Sequence, residues 1–227
     1  MEKIEFPEKD SGPEPSKFGS AVKEKISGFK HWLFGVTKFL LGVLLLPFVY
    51  SVTASFLNQL SLTPKPQQDY FWAGVASFLV IYLLIWEPAK IYAYGHKILE
   101  MVFNYFKPLV KVAPYLLPIY TITFAVAYLF LSLAIKSTDL LNYTLFLFGF
   151  SLSLHLVFSA KSLRAKKADF LKGNYIFGFS FVHIINIGLL SLFLNLIFEP
   201  FSFVNFSNQA FQIAKNIFSL VFKQLFL

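Results

Sequence analysis

The chain has 227 residues, 56% hydrophobic and 14% charged, with a mean hydropathy of +0.62, more apolar surface than one water-soluble core of this size needs. Its lack of cysteine excludes disulfide frameworks, thiolate zinc sites, iron–sulfur clusters and cysteine nucleophiles. The net charge of +8 does not point to nucleic acid, because the basic residues sit in short segments beside apolar stretches, where they set topology.

Residues 1–30, with Pro7, Pro13, Pro15 and interspersed Glu and Lys, are too polar to bury much and read as a flexible cytoplasmic tail. The first apolar run starts too late and is too long for a cleavable signal peptide. Apolar stretches follow at 33–57, 71–95, 112–135, 140–160 and 175–198, each near the ~20 residues a helix needs to cross the bilayer. The predicted fold is therefore all-α, a polytopic transmembrane helix bundle over 31–200 with about five spans. Residues 201–227 differ. Asn208, Gln212, Lys215, Ser219 and Lys223 recur at helical spacing opposite Phe206, Ile213, Ile217, Val221 and Leu225, which predicts an amphipathic helix on the membrane surface. A sixth span is the alternative, and Lys215 and Lys223 argue against it. Lys and Arg concentrate before the first stretch, between the second and third, and between the fourth and fifth, which places the amino terminus in the cytoplasm.

Polar residues in or beside such stretches carry the functional information, since burying them costs free energy unless they are paired or used. The first place is Trp86-Glu87-Pro88 running into Gly95-His96-Lys97-Ile98-Leu99-Glu100. His96 and Glu100, at i and i+4, share a helix face and suit one metal ion, although such a pair near a helix end is more often simply solvated. The second is Ala113 to Tyr120, where Pro114 and Pro118 kink the chain beside Tyr115, shaping either packing or a pocket. The third is His155, which reads first as a buried neutral imidazole bonded to a neighbouring helix. The fourth is Asp169 after Lys166 and Lys167, which alone reads as a helix-start residue. His183 and Asn186 beyond it either bond across helices or line a pocket.

In that order the four places resemble a bacterial group of membrane-embedded zinc metallopeptidases related to the site-two proteases. That group carries a Gly-His-Glu-x-x-His helix, an Ala-Pro-Tyr-x-x-Pro-x-Tyr segment, a Ser-x-His-Leu helix, a loop aspartate and an Asn-containing final span. The counterparts here are Gly95 to Glu100, Ala113 to Tyr120, Ser153 to Leu156, Asp169 and Asn186. The resemblance implies a bacterial inner membrane, and a metal site of His96, Glu100 and Asp169 within a pocket lined by Pro114, Tyr115, Pro118, His155, His183 and Asn186. The chain departs from the pattern at the chemistry. Lys97 stands where the glutamate general base belongs, and an ammonium accepts no proton; Glu100 replaces the second histidine. Only Met101 to Val112 separates the metal helix from the Ala-Pro-Tyr segment, where a longer insertion is expected to hold substrate.

The leading expectation is thus a catalytically inactive relative, a pseudoprotease that needs no cofactor and serves as a scaffold in the lipid bilayer for a membrane-protein partner or client helix. One alternative is a zinc-dependent intramembrane metallopeptidase using His96, Glu100 and Asp169. Another is a small transporter or structural membrane subunit. An aspartyl mechanism is disfavoured because Glu87, Glu100, Asp139 and Asp169 all sit near the ends of the apolar stretches.

Overall fold

The computed structural model describes residues 17–106, 110, 112–164 and 174–226, and among these it is helical, without strands. The chain divides into two compact units, Met1–Thr37 and Lys38–Leu227. Helix α1 (Lys17–Ser61) begins inside the segment read as a tail and continues through the first apolar stretch. In the first unit its Phe29 and Trp32 rings stack at 6.0 Å. In the second unit follow α2 (Lys65–Val80), extended by a π-helical turn (Ile81–Ile85), α3 (Ala89–Val102), the single turn α4 (Ala113–Leu116), α5 (Ile119–Ala134), α6 (Thr138–Leu163), α7 (Tyr175–Ile197) and α8 (Phe203–Phe226).

Four of these helical segments are long and apolar enough to cross a membrane: Gly28–Ser61, Lys65–Ile85, Thr138–Leu163 and Tyr175–Ile197. Two of the expected stretches are broken by proline. The second, expected to reach residue 95, stops at Ile85, because Pro88 lacks an amide proton and disfavours helix before it; Trp86 is extended at φ −163°, ψ 143°. The third is cut at Leu117-Pro118, leaving α5 with 16 residues, about 24 Å and short of the ~30 Å of hydrocarbon.

Half of the apolar window of α6 and 44% of that of α7 are buried, against 17% for α2, so α6 and α7 form the centre. Both start on side-chain caps: Ser137 Oγ accepts from Asp139 N at 3.2 Å and Asn174 Oδ1 from Phe177 N at 3.1 Å. The start of α7 is therefore capped by Asn174, while Asp169, read above as a helix-start residue, lies outside the described residues. The closest crossing is α2 on α6. A Cβ on Gly74 would stand 2.0 Å from the Phe146 carbonyl oxygen, and one on Gly149 would stand 2.2 Å from that of Phe71. Two glycines facing each other's backbone let the helices approach to a distance no side chain permits, the packing that serves where lipid supplies no hydrophobic drive. Helix α8 is tied to α1 by Ser55, which donates to the Phe206 carbonyl at 2.6 Å, and by the Phe48 and Phe218 rings at 5.4 Å.

Candidate functional site

The break at Trp86-Glu87-Pro88 redirects the chain so that α3 packs on α4, α5 and α6. Glu87, within the break, pairs with Lys161 near the end of α6. Tyr92, Gly95 and Leu99 form the buried face of α3, at helical spacing. Gly95 leaves room for its neighbours: a Cβ there would lie 2.7 Å from Ile119 Cγ2 and 2.9 Å from the Tyr120 ring, so those side chains would have to shift. Tyr120 uses that space to donate its hydroxyl to the Ile91 carbonyl at 2.5 Å.

On the adjoining face His96 Nε2 lies 3.4 Å from Glu100 Oε1. Both line an open cleft of 420 Å³ together with Tyr92, Ala93, Lys97, Tyr115 and Ser162. The Tyr115 ring meets His96 edge-on with centroids 5.0 Å apart, and the Tyr92 ring stands 5.8 Å from His96 and 5.9 Å from His155. Burial pushes the Tyr92 phenol above its ordinary value, against the opposing bond to Ser159 at 3.2 Å, so it remains a neutral hydroxyl.

The spacing of His96 and Glu100 suits one edge of a zinc tetrahedron, whose ligand atoms stand about 3.4 Å apart for bonds near 2.1 Å. Two donors do not make a centre. Among the described residues no group of three His, Cys, Asp or Glu side chains is placed to hold a metal, and Asp169 lies outside them. His155 contributes no Nε2 lone pair: that nitrogen is 3.0 Å from the Tyr115 carbonyl oxygen, which only accepts, so Nε2 carries the proton. Lys97 lines the same cleft. The described residues therefore do not fit a zinc centre.

The remaining predicted pocket residues serve the helix break beside the cleft. Leu117 is extended at φ −98°, ψ 117°, and Pro118 has no amide proton, so the carbonyls before them leave the helical ladder. His155 of α6 takes the Tyr115 carbonyl, and Asn186 of α7 donates to those of Leu116 at 3.2 Å and Val182 at 2.8 Å. Pro114, Tyr115 and Pro118 are buried at this junction. His183 lies elsewhere, with Nε2 2.8 Å from Thr53 Oγ1 of α1; that hydroxyl donates to the Val49 carbonyl, so the imidazole donates to it. Asn186→Leu is expected to cost about 1–3 kcal/mol in detergent unfolding, because it strands the part-buried Leu116 carbonyl. The lower end of that range applies, since the substitution also removes an Oδ1 that is buried without a partner among the described residues.

One residue escaped the sequence reading. Lys38 in the apolar run of α1 is 4% exposed, and an ionisable side chain inside an apolar helix is a functional candidate by default. Its signal was a lone charge within residues 33–57. Comparison with protein-family models, with curated proteins and with solved structures gives no match to this chain.

Proposed function

We propose that the chain is an integral protein of a bacterial inner membrane with a cytoplasmic amino terminus, and that it is a degenerate member of the site-two-protease-like metallopeptidases. It retains the membrane scaffold without proteolysis and engages a partner or client helix. The supporting observation is convergence. Motif pieces from different helices touch one another at and beside the cleft: Gly95 against Tyr120, His96 against Tyr115, His155 on the Tyr115 carbonyl and Asn186 on that of Leu116. Against proteolysis stands Lys97 in the same cleft. Loss of a general base lowers the rate of such chemistry by roughly 10² to 10⁴.

The test is elemental analysis of detergent-purified protein, wild type beside His96→Ala and Asp169→Ala, with a transmembrane peptide cleavage assay. Zinc at background in all three and no cleavage are expected. Near-stoichiometric zinc in the wild type, lost in both variants, together with metal-dependent cleavage, overturns the pseudoprotease reading in favour of the active enzyme.

A further inference from the structure

Helix α3 presents a second apolar face that the cleft does not use. At 100° per residue, Tyr92, Gly95 and Leu99 occupy the buried sector, and His96, Glu100 and Ala93 the cleft sector. Lys97 and Lys90 come next, and then an apolar sector about 100° wide formed by Met101, Tyr94, Ile98 and Val102. That sector is open: Tyr94 is 68% exposed, Ile98 47% and Met101 70%.

Its depth follows from the helix before it. Lys65–Ile85 is long and apolar enough to cross a membrane, and the chain breaks at Trp86 directly afterwards. The next helix thus starts at a membrane boundary, among Trp86 and Tyr94, residue types that favour that boundary. Charge agrees. The two acids nearby are engaged, Glu87 with Lys161 and Glu100 with His96, while Lys90 and Lys97 border one edge of the apolar sector.

We infer that α3 lies in the membrane interface, with its Tyr94–Ile98–Met101 face set into the headgroup–acyl boundary and Lys90 and Lys97 against anionic lipid phosphates. This rests on the membrane reading above. An apolar sector bordered along one edge by lysines suits a helix lying in the interface beside the bundle, and each basic residue near an anionic surface strengthens the association about five-fold, the factor equivalent to about 1 kcal/mol. Anchored this way, α3 holds the His96–Glu100 cleft at headgroup level, where a client segment leaving the bilayer would meet it.

Because the chain has no cysteine, single nitroxide labels report depth directly. Tyr94→Cys, Ile98→Cys, Met101→Cys and Lys97→Cys are compared with Leu44→Cys on α1 in nanodiscs of phosphatidylcholine, with and without phosphatidylglycerol. Labels at 94, 98 and 101 are expected to be more accessible to oxygen than to a water-soluble nickel chelate, and the label at 97 the reverse. Phosphatidylglycerol deepens the label at 98, a gain lost in Lys90→Gln/Lys97→Gln. Water accessibility at 94, 98 and 101 with Leu44 in lipid overturns this inference alone. Shielding of these positions from both reagents overturns it as well, in favour of a protein covering. Water accessibility at Leu44 overturns the membrane reading itself.

Discussion

Gly149→Ala is expected to lower the stability of the folded bundle by about 1–3 kcal/mol or more, the cost of forcing one added methyl group into a filled contact. The methyl group would stand 2.2 Å from the Phe71 carbonyl oxygen and 3.1 Å from the Val75 amide nitrogen, both backbone atoms that no rotamer change can move aside. The helices must separate, and α2 has its most extensive packing on α6. Gly74→Ala meets the same obstacle from the other side, against the Phe146 carbonyl and the Phe150 amide nitrogen. Since both substitutions open one crossing, the double variant should cost clearly less than the sum of the two. Denaturant unfolding in detergent, followed by tryptophan fluorescence, checks this: Trp72 lies within the α2 side of the crossing in sequence and Trp86 beyond the end of that helix. Two fully additive losses would mean that the glycines do not share a contact.

The second large effect is a gain. Lys97→Glu/Glu100→His rebuilds the Gly-His-Glu-x-x-His pattern on α3, and on the proposed family reading, in which Asp169 supplies the third ligand, zinc is expected to rise above background in elemental analysis. The physical ground is position. Residue 100 already stands one helical turn from His96, with their side-chain atoms 3.4 Å apart, and both line the cleft. A second imidazole at that place replaces a carboxylate with the ligand zinc prefers, and removing the ammonium at 97 takes a positive charge from beside the cation. Adding His96→Ala to the rebuilt variant should abolish the gain. Zinc at background in the rebuilt variant would show that the scaffold does not hold metal-binding geometry, and would count against kinship with the peptidases.

The sequence by itself determined the helical class and the apolar stretches, but not the two places where proline breaks them. It also determined the meeting of His96 with Glu100, because these features depend on composition or on spacing within one helical turn. The second stretch reads as apolar through residue 95, and only the missing amide of Pro88, weighed against the surrounding hydrophobicity, explains why the helix stops at Ile85. Tertiary structure alone decided the rest. Gly74 and Gly149 are ordinary helix residues until the α2–α6 crossing places each on the other's backbone. His155 and Asn186 each allow several roles in isolation, and they become hydrogen-bond donors to Tyr115 and Leu116 because α6 and α7 pack beside a break 40 and 70 residues earlier in the chain. Burial of Lys38 is likewise a property of what surrounds α1. The reason is common to all of them: a side chain carries its own helix's periodicity, whereas its partner depends on which faces meet, and that is settled by packing across the whole bundle.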